Sequence, residues 1–155
     1  MSAGTIGAGD YHLDIAKGLV PLELGITLVG NNIAAGNTAE TIWPPGGRYI
    51  FPASADTVDV SSSVAGDAAA GVGLQTVQLG GLDANYLFIT ELITLNGVTP
   101  VTSTLSFLRI NEVVAKSAGT NKTASGNITA DHTTSGDTLG YIALGDNISR
   151  QGVFT

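Results

Sequence analysis

Apolar and polar residues alternate with a period of two along several short runs of this chain, and clusters of Gly, Asn, Asp and Pro separate the runs. Successive side chains of a strand point to opposite faces, so this is the pattern of antiparallel strands with one face buried. The clearest block spans residues 75–116. Residues 75–79 read as a strand, followed by a loop over Gly80-Gly81-Leu82-Asp83-Ala84-Asn85. Residues 86–95 read as a second strand that stops at Asn96-Gly97, and after Val98-Thr99-Pro100 the pattern resumes over 104–116.

Shorter runs flank this block. In residues 55–61, Val58 and Val60 are expected to face inward with Asp56 and Asp59 at the margins; residues 65–73 read as a small-residue loop. Further strands are expected at 126–130 and 139–144. Short strands spaced at roughly ten residues favour a sandwich or jelly roll over any α/β arrangement. Residues 1–48 are different. Asp14 to Pro21 fits one helical turn closed by Gly18, residues 22–29 fit a strand, and Trp43-Pro44-Pro45-Gly46-Gly47 is a rigid corner. The expected architecture is all-β: a β-sandwich with jelly-roll-like connections over 49–155, carrying an extended N-terminal arm and corner over 1–48.

Composition narrows the function. The 155 residues fit one domain plus an arm, and only 12% are charged, about half the usual share of roughly 25%. Such a surface suits either a β-rich secreted-type protein or a subunit packed in an assembly. The net charge is −7, and the six basic residues are scattered from Lys17 to Arg150. With no cluster of cations to neutralise phosphates, nucleic acid and anionic membrane surfaces are excluded as expected partners. Cysteine is absent, which removes disulfides, thiol catalysis and thiolate metal sites. The first ten residues lack the basic and apolar regions of a signal peptide, and no apolar run is long enough for a bilayer-spanning helix. Synthesis in a cytoplasm without Sec-type export is the expectation.

Candidate chemistry is sparse. His12 and His132 stand outside any metal-binding spacing, and Asp131-His132 beside Thr133-Thr134-Ser135 has the residue types of a Ser-His-Asp relay without a Gly-x-Ser-x-Gly elbow. Asp56, Asp59, Asp67 and Asp83 would have to converge in a cleft for glycoside hydrolysis, and no aromatic platform accompanies them. Residues 131–137 lack the register of an EF-hand loop, and Gly7-Ala8-Gly9 and Gly71-Val72-Gly73 lack the Lys-Ser/Thr of a phosphate loop. Asn121, Asn127 and Asn147 match the glycosylation pattern, which without a signal peptide marks only a Thr-rich surface. Glu91 shares a strand face with Leu87, Ile89, Ile93 and Leu95, so it is expected either to be an inward carboxylate paired with a cation such as Arg109 or to mark a face that meets a neighbouring subunit through a polar patch. Trp43, Tyr49 and Phe51 form an apolar cluster that either plugs one end of the core or anchors the arm on a neighbour. No catalytic, cofactor or metal residue is assigned.

Several segments resemble a family of tailed-bacteriophage virion structural proteins. The resemblance lies in Tyr11-His12-Leu13-Asp14-Ile15-Ala16-Lys17-Gly18-Leu19-Val20-Pro21, in Ile42-Trp43-Pro44-Pro45-Gly46-Gly47-Arg48-Tyr49 and in Thr57-Val58-Asp59-Val60-Ser61-Ser62. It continues through Val77-Gln78-Leu79-Gly80-Gly81-Leu82-Asp83-Ala84-Asn85-Tyr86, Glu91-Leu92-Ile93-Thr94-Leu95-Asn96-Gly97, Pro100-Val101-Thr102 and Phe107-Leu108-Arg109-Ile110-Asn111. The block from Gly81 to Arg109 is the most specific part. The resemblance implies a non-enzymatic virion component assembled in the bacterial host cytoplasm, above all a capsid decoration (cement) protein. A tail-tube or connector ring subunit, or a receptor- or carbohydrate-binding module of a fibre, is the alternative. The implied partners are the major capsid protein or other virion proteins, together with copies of the chain itself, a trimer being preferred. The expected contacts are Leu13, Ile15, Leu19, Val20, Leu22 and Leu24 on the arm and Trp43, Tyr49 and Phe51 at the corner.

Overall fold

A computed structural model describes residues 27–29, 43, 45–149 and 152–154. Every regular element among them is a strand: β1 (Thr27–Val29), β2 (Val58–Ser62), β3 (Leu74–Leu82), β4 (Phe88–Thr94), β5 (Val101–Thr102), β6 (Arg109–Ala118), β7 (Ile128–His132), β8 (Thr138–Ile142) and β9 (Gly152–Phe154). All pair antiparallel, in a four-stranded sheet of order β5-β2-β7-β8, a three-stranded sheet β4-β3-β6 and a two-stranded pair β1-β9. The all-β expectation therefore holds for the described residues. The arm contacts Leu13, Ile15, Leu19, Val20, Leu22 and Leu24, and the helical turn at 14–21, lie outside them.

The alternating pattern works as a burial code. In β2, Val58, Val60 and Ser62 face inward while Asp59 and Ser61 face out. Opposite them, Ile128 and Ala130 of β7 are buried. Leu74, Val77 and Leu79 of β3, Ile93 of β4, Ile110 and Val113 of β6, and Leu139 and Ile142 of β8 complete one hydrophobic core shared by the two larger sheets. Phe107, outside any strand, fills that core with no exposed surface. Burying a side chain of this kind contributes on the order of 1.5–3 kcal/mol.

Two boundaries differ from expectation. Gly80 and Gly81 do not turn; they continue β3, paired with Thr90 and Ile89 of β4. A side chain at Gly80 would meet the Phe88 ring and Glu112, and one at Gly81 would collide with the Arg109 carbonyl. Glycine here serves close approach, with an aromatic ring covering the bare backbone. The turn lies later, where the Asp83 carboxylate accepts the amides of Asn85 (2.7 Å) and Leu87 (2.9 Å). It brings Tyr86 to a φ of 62°. Residues 104–108 do not extend β6; they are an irregular segment tied down by the Asp56–Phe107 bridge. The Asn96-Gly97 turn forms as expected, with Gly97 at a φ of 61°.

A buried carboxylate closes the loop ends. Asp67, with no exposed surface, accepts the Ser62 hydroxyl (2.7 Å) and the amides of Leu74 (2.8 Å), Ser125 (2.9 Å) and Gly126 (2.9 Å). Four donors on two oxygens satisfy the charge without a cation. They also explain why β2 ends on a buried serine.

Candidate functional site

The corner cluster is real, and it is half core and half surface. Gly46 donates to the Trp43 carbonyl (2.8 Å), and Gly46 and Gly47 take φ values of 92° and 71° that favour glycine. This turn sends Trp43 edge-on against Tyr49 (centroids 5.2 Å), which in turn packs edge-on against Phe51 (4.9 Å). Tyr49 is buried, Trp43 half-buried and Phe51 42% exposed. The three expected residues thus come together, with Phe51 as the outward member.

Beyond Phe51 the surface continues through residues that the sequence pattern did not group with the corner. The Arg109 guanidinium lies over the Phe51 ring at 5.2 Å and over the Tyr86 ring at 5.7 Å. Cation–π contacts of this kind contribute about 0.5–1 kcal/mol at exposed sites. Arg109 does not pair with Glu91. The Glu91 carboxylate instead accepts the Thr104 amide (2.8 Å) and hydroxyl (2.9 Å) and the Leu105 amide (2.9 Å). That explains the inward carboxylate by loop anchoring and corrects the expected ion pair. One guanidinium nitrogen of Arg109, the Tyr49 hydroxyl and the Asn111 amide oxygen are buried without a well-formed hydrogen bond. Burial pushes the Tyr49 phenol up to about 12, with the neighbouring Arg109 charge pulling weakly the other way. Tyr86 and Leu87 lead from Arg109 to Phe88 and Leu92 on the outer face of β4; all four are more than half exposed. Arg109 thus sits between two aromatic rings, with further exposed apolar side chains following Tyr86 along the chain.

The polar candidates resolve otherwise. His132 Nδ1 lies 3.2 Å from Ser135 Oγ and 3.9 Å from Asp56 Oδ2, while Nε2 faces the Ser54 carbonyl at 3.4 Å. A relay needs the serine on one ring nitrogen and the carboxylate on the other. Here both share Nδ1, and Ser135 also donates to Asp137 at 2.6 Å. The arrangement is a turn clasp. The Thr134 hydroxyl, and after it the Thr57 amide, hold the Asp56 carboxyl below its usual range. Asp59 is taken by Thr102, Asp131 by Thr129 and Thr138, Asp67 by its four donors and Asp83 by its turn. The four acids do not converge on one cleft. Among the described residues no group of three or more His, Asp or Glu side chains could hold a metal ion.

The outer face of the four-stranded sheet carries a groove of about 480 Å³. Ser61, Thr129 and Tyr141 line it as one cross-strand row, with Ser63, Asn127 and Pro45 beside them. Comparison with family models, curated proteins and solved structures finds no match to this chain.

Proposed function

We propose that this chain is a non-enzymatic structural subunit of a tailed-phage particle, acting as a capsid decoration protein that stabilises the shell through contacts with its neighbours. The observation that carries the reading is the surface of Phe51, Tyr86 and Arg109. Exposed aromatics around an arginine are the composition of interface anchors, and this arginine has no carboxylate partner among the described residues. The motif resemblance and the low share of charged residues support the same reading. On this view the two larger sheets and their shared core form a β-sandwich with jelly-roll-like connections, and the arm lies across an adjacent subunit.

The test mixes the purified chain with particles lacking it and pellets them. The wild-type chain is expected to co-sediment, and a Tyr86→Ala, Arg109→Ala variant that keeps its far-UV spectrum is expected to stay in the supernatant. A wild-type chain that never pellets with shells overturns the decoration role. One observation favours the fibre-module reading instead: the hydroxyl-lined groove beside Tyr141 has the donors and acceptors a saccharide requires. Binding on a glycan array that a Tyr141→Ala variant loses would establish that reading.

A further inference from the structure

We propose that β4 is a self-complementary edge, and that two copies of the chain join through it about a two-fold axis to continue the β4-β3-β6 sheet from one copy into the other. This contact goes beyond the particle reading and does not depend on it.

Three observations carry it. The first is backbone chemistry. Leu95 donates to the Gln75 carbonyl at 2.9 Å, and in an antiparallel pair the hydrogen-bonded positions alternate. Ile93, Glu91 and Ile89 therefore bond to β3, opposite Val77, Leu79 and Gly81. The N–H and C=O groups of Phe88, Thr90, Leu92 and Thr94 point away from β3, on the side where no strand follows in the sheet among the described residues. The second is how little protects the edge. Edge strands are normally blunted by Lys, Pro, a bulge or an inward-pointing charge; β4 reads FITELIT, pairs with β3 without a register shift and has only the last of these, Glu91. Its single charge, Glu91, is committed to Thr104 and Leu105.

The third observation selects a second copy as the occupant. Tyr86, Leu87, Phe88 and Leu92 are 53%, 63%, 58% and 59% exposed, which leaves on the order of 400 Å² of mostly apolar side chain per copy. A standard interface buries about 800 Å² per partner. The side chains thus supply about half of that, and the seven-residue backbone edge adds to it. One register matches the large apolar residues to each other. Centring the axis on Glu91 would set two carboxylates opposite each other, which is destabilising. Centring it on Thr90 sets Phe88 against Leu92 of the copy twice over, with Thr90 facing its own equivalent. The contact is a moderate one that dissociates on dilution, and it makes a dimer, unlike the trimer expected from the resemblance.

The chain has no cysteine, so a Thr90→Cys variant is a clean probe. Facing Cα atoms at a hydrogen-bonded pair lie about 5.5 Å apart, within disulfide reach. Treated with diamide, which takes up the two thiol electrons, full-length Thr90→Cys is expected to cross-link to dimers at least tenfold faster than Thr120→Cys on a remote turn. In sedimentation the unmodified chain is expected to shift from monomer to dimer with concentration, and Leu92→Lys to weaken that association at least tenfold. Equal cross-linking at the two positions, a chain that stays monomeric into the millimolar range, or a trimer insensitive to Leu92→Lys would overturn the proposal.

Discussion

Asp67 Oδ1 accepts the backbone N–H of Leu74 at 2.8 Å, and the same oxygen holds the amide of Ser125 at 2.9 Å. One side chain thereby ties the entry of β3 to the segment leading into β7. Asp67→Asn keeps the shape but turns an NH₂ group toward backbone donors. A loss of about 2–4 kcal/mol is expected, measured as a lower midpoint in urea unfolding at unchanged slope. Gly73→Ala should cost a similar amount, because its Cβ would overlap Asp67 Oδ1 and Ser125.

Tyr49 makes stability sensitive to alkali. Its folded-state value is raised to about 12 from 10.0, so the unfolded chain loses the phenolic proton first. The stabilisation is complete below pH 10 and falls as pH rises from 10 toward 12, by roughly 2–3 kcal/mol in all. Tyr49→Phe removes a buried hydroxyl lacking a well-formed hydrogen bond. It should unfold no more easily at pH 7 and show a flatter stability profile above pH 10.

Glu91 and Arg109 are expected to act independently. Glu91→Ala should cost about 1 kcal/mol through the freed amides of Thr104 and Leu105. The double variant with Arg109→Ala should show a coupling energy below about 0.5 kcal/mol. A coupling of several times that size would reinstate the ion pair.

Deletion of residues 1–24 leaves every described strand in place. The truncated chain should keep its strand-dominated far-UV spectrum and unfold cooperatively, but pellet poorly with shells. Co-sedimentation equal to that of the full chain would show that the surface around Arg109 holds the shell without the arm.

The fold was legible where burial follows the pleat. Val58 and Val60, Leu79 and Ile128 alternate with polar or small neighbours because one face of each strand meets the shared core. It was illegible where a tertiary contact outweighs local preference. Gly80-Gly81 has turn composition, yet the Phe88 ring and the close Arg109 carbonyl keep both residues in β3. Leu105 and Phe107 alternate like a strand, but Glu91 and Asp56 capture their segment before the β6 ladder begins. At the candidate site, Trp43, Tyr49 and Phe51 could be grouped from their closeness in sequence. Tyr86 and Arg109 could not, because they reach Phe51 only through the pairing that sets Phe88 and Arg109 on either side of Leu82. Asp67 looked like any loop acid; nothing local distinguishes it until Leu74, Ser125 and Gly126 converge.

The pairing of β1 with β9 sets Thr27 opposite Phe154 and Val29 opposite Gly152. The outward ends of the two strands are thus neighbours, and tension applied to the chain beyond them would act across the ladder instead of along it. Its bonds would open one after another, as a zipper does, and pull next on the contact of Ser149 with Val113. A chain pulled from beyond these two strands would give way there before the core between the larger sheets opened.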